Sequence, residues 1–195
     1  METFPKTGSS STAQAEALAC DHLHILAAGN MQAAAANVTS DYFNHRSADE
    51  PLEARVRGPA GYTATIRWIH RAFSDLRFEI HRAVVNPVDG SDLVALHVTL
   101  HARQHGPFVV YDSPDARVTE VFPSNGRSFA AKQTHWITVS DGAVSEHDAV
   151  RDDLAMARQL GWIPPNPVFI ARMLLALSSE RRLDRSNRME QLQAR

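Results

Sequence analysis

FAAKQTHWITVSDGAVSEHDAVRDDLAMARQ, residues 129–159, reads as a strand, a tight turn, a second strand and a helix. In its first run Phe129, Ala131, Gln133, His135, Ile137 and Val139 alternate with Ala130, Lys132, Thr134, Trp136 and Thr138. A period of two is the signature of a half-buried strand, so the odd set points inward and carries Gln133 and His135 into an apolar face. Ser140-Asp141-Gly142 is a turn signal. Beyond it, Ser145, His147 and Ala149 share one face, and Val144, Glu146, Asp148 and Val150 the other; charge sends Glu146 and Asp148 outward. A two-residue Asp-Gly loop would pair odd with even positions and set His135 beside Asp148. A three-residue loop with Gly142 left-handed pairs odd with odd and keeps both inward sets on one side. That second register is expected, with His135 facing His147 and Gln133 facing Ala149. Imidazole titrates near neutral pH, so a facing pair in an apolar wall suits proton transfer, the alternative being two core histidines satisfied by a hydrogen bond.

The bulk properties leave room for such a cavity. The chain has 195 residues, 44% of them hydrophobic, enough for one domain with a substantial core plus appendages. A net charge of −2 offers no basic field for nucleic acid. The single cysteine, Cys20, excludes an internal disulfide and fits a reducing compartment, and its alanine-rich setting makes it a small core residue rather than a catalytic thiol. The opening METFPKTGSSSTAQ lacks the basic-then-apolar order of a secretory signal and reads as a disordered lead-in over residues 1–12. The longest apolar run, Val168 to Leu177, is broken by Arg172 and falls short of the ~20 residues that a bilayer span needs. A cytoplasmic protein without membrane partners is expected.

Upstream, Ala13 to about Ala28 reads as a helix that Gly29-Asn30 ends, with a short helix following from Met31 to Asn37. Asp41-Tyr42-Phe43-Asn44-His45 brings aromatic and polar groups together, making Asn44 and His45 candidate ligand contacts; Arg46 to Arg57 reads as a charged loop. Gly58-Pro59 opens a helix whose stripe is Tyr62, Ile66, Ile69 and Phe73, with Trp68 at its edge as a candidate cavity wall. Strands follow over Leu76–Val85 and Leu93–Arg103, each burying even positions: Leu76, Phe78, Ile80 and Val84, then Val94, Leu96, Val98 and Leu100. Ten histidines invite a metal hypothesis, yet this pattern puts His81, His97 and His101 on the opposite face from His135 and His147, so no metal site is expected. Pro107 to Pro123 reads as a hairpin or flap carrying Tyr111, a further candidate ligand contact. Asp152 and Asp153 start a helix, and Asn166 to Ser178 is apolar nearly all round and needs cover from the sheet or a partner. Helices followed by an antiparallel meander give an α+β fold: a cone-shaped curved sheet packed against N-terminal helices, with an additional C-terminal helix.

Six pieces of the sequence, in order, resemble the SnoaL-like polyketide cyclases of the nuclear transport factor 2-like superfamily. They are Gly58-Pro-Ala-Gly-Tyr with Trp68 and Arg71-Ala-Phe-Ser-Asp-Leu; Leu93-Val-Ala-Leu-His-Val-Thr; Pro123-Ser-Asn-Gly-Arg-Ser-Phe; Gln133-Thr-His; Asp141-Gly-Ala-Val-Ser-Glu-His; and Val150-Arg-Asp-Asp-Leu running on to Arg158-Gln-Leu-Gly. The likeness spans about Ala13 to Pro165, which makes residues 13–165 an α+β barrel domain and 166–195 a C-terminal helix and charged tail. It implies a usually dimeric cone that closes a ring of a polyketide ester by intramolecular aldol condensation without metal or cofactor. In ring-closing members a carboxylate two residues past the histidine matching His147 is the general acid/base; here Ala149 stands there. The expected function is therefore a cofactor-independent cyclase or isomerase acting on a small hydrophobic, polyketide-like ligand, as a homodimer. His147 is the expected proton-transfer group, His135 and Gln133 hold the substrate oxygen, and Asp152 orients His147 or replaces the missing acid. The alternatives are a non-catalytic ligand-binding or assembly module, for which the lost carboxylate would be natural, and a monooxygenase-like relative.

Overall fold

The computed structural model describes residues 12–88 and 90–193, so most of the sequence read as a lead-in lies outside the described residues. Helix α1 (Thr12–Ala28) buries Ala15, Ala19, His22, Leu23 and Leu26, the spacing of a single helical stripe. Gly29 (φ +67°) closes it, and Asn30 caps α2 (Met31–Asn37), its side chain accepting from the Ala33 amide at 3.0 Å. The chain then runs directly into β1 (Val38–Asn44), a strand absent from the sequence reading. Two single 3₁₀ turns, Ser47–Asp49 and Leu52–Ala54, bring it round to α3 (Pro59–Ala72). Gly58 holds that entry at φ +80°, and a Cβ there would strike the Ser40 carbonyl oxygen.

Strands β2 (Phe73–Val88), β3 (Ser91–Gln104), β6 (Ser128–Ser140) and β7 (Ala143–Arg151) form an antiparallel meander, interrupted by a separate hairpin of β4 (Phe108–Tyr111) and β5 (Val118–Phe122). The sheet order is β1-β7-β6-β3-β2, and β1 joins β7 in parallel, so the sheet is antiparallel except at this edge. The inner face carries Val94, Leu96, Val98, Ile137, Val139 and Val144, packed against Leu23 of α1 and Tyr62 and Ile66 of α3. Helix α4 (Asp153–Gln159) lies across one end of β6, where the Gln159 side chain bonds both backbone groups of Ala130 at 2.9 Å. Helix α5 (Pro167–Gln193) continues well past Ser178, so the segment read as a charged tail is helical to Gln193. It is strapped to the β4–β5 hairpin by Arg181 Nε on the Val118 carbonyl at 3.0 Å, with Arg71 and Glu180 paired nearby at 2.6 Å.

Two β-bulges correct the expected register. The β6–β7 turn has two residues, Asp141 (φ 52°) and Gly142 (φ 77°), with Ser140 paired to Ala143 and Val139 to Val144. Ser145 is then the extra residue of a bulge, its hydroxyl on the Thr138 carbonyl at 3.3 Å, and from Thr138↔Glu146 onward odd pairs with odd. The inward histidines expected from a three-residue loop are thus delivered by a bulge, and the pairing is shifted: His135 lies opposite Ala149, and His147 opposite Ile137. Val144, expected outside, is fully buried. In β2 a bulge between Ile80 and Arg82 turns Val84 outward, 56% exposed, and gives its inward place to Ala83 and Val85.

Candidate functional site

The open end of the cone holds two connected chambers. The outer one, of about 270 Å³, is walled mainly by apolar side chains, among them Trp68, Phe73, Leu100, Phe108, Phe122 and Trp162. Trp162 stacks on Phe122 with ring centroids 4.3 Å apart, and Trp68 donates its indole N–H to the Val109 carbonyl at 2.8 Å, so the rim is an ordered aromatic wall. Ile69, Leu76, Leu100, Gln133 and Arg151 belong to this chamber and also to a deeper one of about 80 Å³. The deep chamber changes character: Tyr42, Asn44, Glu50, Tyr62, Thr65, His135, His147 and Ala149 line it. The cavity thus joins an apolar sleeve to an end rich in hydrogen-bonding groups.

Strand β6 supplies Gln133 and His135, and β7 supplies His147, all on the inner face because of the period-two alternation restored by the bulge. Although not directly opposite, the two imidazoles meet on the diagonal, His135 Nδ1 to His147 Nε2 at 2.7 Å, and His135 Nε2 reaches Gln133 Oε1 at 2.9 Å. Burial at 4% and 8% exposure disfavours the imidazolium form. It lowers His135 to about 3 and His147 well below the usual histidine range, each further opposed by the neighbouring imidazoles and Arg151. With both rings neutral the amide fixes the direction of the line: His135 Nε2–H donates to Gln133, so His147 Nε2–H donates to His135 Nδ1. The Gln133 NH₂ group then has no protein acceptor among the described residues and is the donor left for an incoming oxygen.

A third buried histidine stands behind this line. His22 sets its ring edge-on to His147 with centroids 5.0 Å apart, stacks on Tyr62 at 4.2 Å, and shares a 2.8 Å hydrogen bond between its Nδ1 and Asn37 Oδ1. Burial lowers it to about 4. No group of three or more His, Cys, Asp or Glu among the described residues is placed to hold a metal ion.

Glu50 is the carboxylate of the deep chamber and is 3% exposed. Thr65 Oγ1 donates to its Oε2 at 2.5 Å and Asn44 Nδ2 to its Oε1 at 3.0 Å. Asn44 is the β1 residue paired with His147, and Glu50 lines the same chamber as the two imidazoles. Desolvation raises Glu50 to about 7, opposed by its two hydrogen bonds and by Arg151. Arg151, where the chambers join, is committed to Asp49 (Nη2, 3.3 Å) and stands 3.4 Å from Asp153, yet its Nε is buried without a hydrogen-bond partner.

Of the residues singled out in the sequence, Gln133, His135, His147, Asn44 and Trp68 come together around this cavity. Three do not. His45 follows Asn44 onto the opposite side of the strand, where it pairs with Glu146 at 3.1 Å in solvent. Asp152 is the N-cap of α4, its Oδ1 accepting from Ala155 N at 2.9 Å, and stands exposed outside both chambers. Tyr111 is half-buried in a groove between the hairpin and α5, lined also by Leu52 and Arg188. The near-neutral titration expected of His147 is corrected as well, because burial holds that ring neutral; the group poised near pH 7 is Glu50. Glu50 sits in the charged loop, where no periodicity betrays burial, whereas His22 shares the α1 stripe of Ala15, Ala19 and Leu26 and was legible by spacing.

A family model described as SnoaL-like polyketide cyclase matches residues 19–160, which takes in the whole of the deep chamber. Among solved structures, TsrD from Streptomyces laurentii is similar at 24% identity and a TM-score of 0.61, over 78% of this chain and 98% of that one. AclR, a candidate hydroxylase from Streptomyces galilaeus, is 20% identical with a TM-score of 0.57, over 79% of this chain and 100% of that one. A candidate polyketide cyclase from Xanthomonas campestris pv. campestris is 16% identical with a TM-score of 0.53, over 77% and 99%. These likenesses show the shared fold. No curated protein matches the chain.

Proposed function

Because this chain belongs to the SnoaL-like polyketide cyclase family, we propose that it is a cofactor-independent cyclase or isomerase that works on a hydrophobic, oxygenated, polyketide-like ligand. The observation that carries the reading is the change of character along the cavity, from an aromatic sleeve of about 270 Å³ to a polar end of about 80 Å³. The sleeve rewards burial of fused or linear apolar rings. The end offers the Gln133 NH₂ group, aligned by the neutral His147–His135 line, to a carbonyl oxygen and to the negative charge that such an oxygen gathers on enolisation. Neutral imidazoles suit this task, since they orient donors without adding a buried charge of their own.

Ligand binding is readable through Trp68 and Trp162, which both line the outer chamber. Titration with β-tetralone, a two-ring ketone, is expected to quench their fluorescence at least tenfold more tightly than tetralin, the same skeleton without oxygen. Equal affinity would remove the role given to the polar end. Gln133→Leu is expected to abolish the preference and keep tetralin binding.

A carrier remains the competing reading, favoured by Ala149, whose methyl group lines the deep chamber where ring-closing relatives are expected to hold a carboxylate. Binding without any proton exchange at the carbon beside the carbonyl would decide for it. The proposal includes a homodimer, since α5 leaves Val168, Leu174 and Leu175 more than 60% exposed. Light scattering at micromolar concentration tests this; a monomer would overturn it.

A further inference from the structure

We infer that Glu50 is the proton-transfer residue of this cavity, a carboxylate brought in from the loop after β1, and that its substrate is a carbon acid: a hydrophobic ketone or keto ester with a C–H bond beside the carbonyl. The inference rests on the reading of the cavity as catalytic and names the acid/base that reading lacks.

Three observations meet on this side chain. First, Glu50 is buried and lines the same deep chamber as His135, His147 and Ala149, and it is hydrogen-bonded by Asn44, the β1 residue paired with His147. The carboxylate missing from β7 is therefore replaced in space from the chamber's facing wall. Second, its direct partners are neutral, the Thr65 hydroxyl and the Asn44 amide. A buried carboxylate kept only for structure is usually paired with a cation; Arg55 Nε donates instead to the Glu50 main-chain carbonyl at 2.9 Å, and Arg151 pairs with Asp49 and Asp153. Third, its surroundings leave the group able to change charge. Asp49 works against the carboxylate form and Arg151 for it, Arg46 lies at the chamber wall, and the remaining titratable neighbours are Tyr42, Tyr62 and the two neutral imidazoles. The balance stands near pH 7, where a general base is most effective.

The step balances without any further reactant. The Glu50 carboxylate takes the proton from the carbon beside the carbonyl; the C–H pair becomes the enolate C=C bond, and the carbonyl π pair moves onto oxygen, where the Gln133 N–H groups receive it. In ring closure the enolate carbon attacks a second carbonyl of the same molecule, a C–C bond forms, and the new alkoxide takes back the proton from the Glu50 carboxyl. Returned instead to another carbon, the proton gives an isomerisation.

The probe is β-tetralone in D₂O, with loss of its benzylic α-proton signal followed by NMR and binding followed by tryptophan fluorescence. Wild-type protein is expected to catalyse exchange, with a rate that rises with pH and levels off through about pH 7, the titration of Glu50. Glu50→Gln is expected to slow exchange by roughly 100-fold or more while binding changes by less than about threefold, and Glu50→Asp to recover part of the rate. Exchange at the wild-type rate in Glu50→Gln, with His147→Gln inactive, would overturn the inference and leave the catalytic reading standing. Binding without exchange in the wild type would overturn both. Should Glu50→Gln fail to fold, ¹³C NMR of the glutamate carboxyls in wild-type protein still tests the claim: a Glu50 midpoint near 7 supports it, and one near the ordinary 4.5 sinks it.

Discussion

The two faces of one sheet use histidine in opposite ways. On the outer face His101 bonds Glu79 at 3.1 Å, His81 bonds the Thr99 hydroxyl at 2.7 Å, and His97 stands exposed beside His81. On the inner face His135 and His147 are buried and, among the described residues, hydrogen-bond each other and an amide. The buried pair must stay neutral, so its worth lies in direction rather than charge. The difference teaches that His147 fails as a neutral-pH base for the same reason that it succeeds as a fixed donor: burial removes the imidazolium from reach and locks the tautomer. A loop carboxylate buried at the same place is shifted the opposite way, toward neutrality, and becomes the group able to move a proton.

The strongest way to break the contrast is to exchange the faces. Inserting one alanine between Glu146 and His147, past the β7 bulge, would send His147 and Ala149 outward and bring Asp148 into the core. No cooperatively folded protein is expected, by circular dichroism and urea titration; a folded product would mean that the parity of β7 is not what places the site. Next in size is a charge on each face: His135→Asp is expected to cost roughly 3–5 kcal/mol as an unpaired buried anion, against about 0.5 kcal/mol or less for His97→Asp in solvent. Comparable losses at both positions in thermal melts would erase the distinction between the faces.

The contrast was largely legible in the sequence, because alternation alone assigns His97 and His101 to one side and His135 and His147 to the other. What alternation cannot count is an unpaired residue. Ser145 and the irregularity before Arg82 each shift parity by one, so Val144 turns inward, and Val84 turns outward while Ala83 and Val85 take its inward place. The parallel edge strand β1 was missed because seven residues that leave a helix and mix Tyr42 and Phe43 with polar groups have no clean period. Glu50 was missed for a deeper reason. Its burial comes from α3 and β1 closing over two 3₁₀ turns, a tertiary event that leaves no trace in the charged run Arg46 to Arg57.

Acid separates the faces more gently. The inner histidines have folded values below the 6.5 of an exposed ring, so between pH 6.5 and about 3 the unfolded chain binds protons that the folded chain refuses. Their stability is fully present above pH 6.5 and is lost as pH falls, by a few kcal/mol in total on an order-of-magnitude basis. Urea midpoints at pH 7 and pH 4.5 check this. His135→Leu is expected to flatten the loss, and His81→Gln with His97→Gln to leave it unchanged. A slope that follows the outer pair instead would invert the assignment.

The smallest effect has the opposite sign and belongs to Glu50. Its folded value of about 7 lies above the ordinary 4.5, so from pH 4.5 to 7 the folded state holds a proton that the unfolded state has released. Stability is therefore highest below 4.5 as far as this group is concerned and declines as pH rises through 7, where a buried carboxylate must be carried as an anion. Glu50→Gln removes that cost while keeping an oxygen for Thr65 or Asn44. The variant is expected to be more stable than wild type by roughly 1–2 kcal/mol at pH 8 and to lose the advantage at pH 4. Asp152→Asn, an exposed cap whose replacement caps equally well, is expected to change stability by about 0.5 kcal/mol or less at either pH. A Glu50→Gln protein that gains stability at pH 8 but loses proton exchange has traded function for stability at one buried oxygen, which is the behaviour of a catalytic carboxylate; a variant destabilised equally at both pH values would make Glu50 a structural anchor of the 46–57 loop.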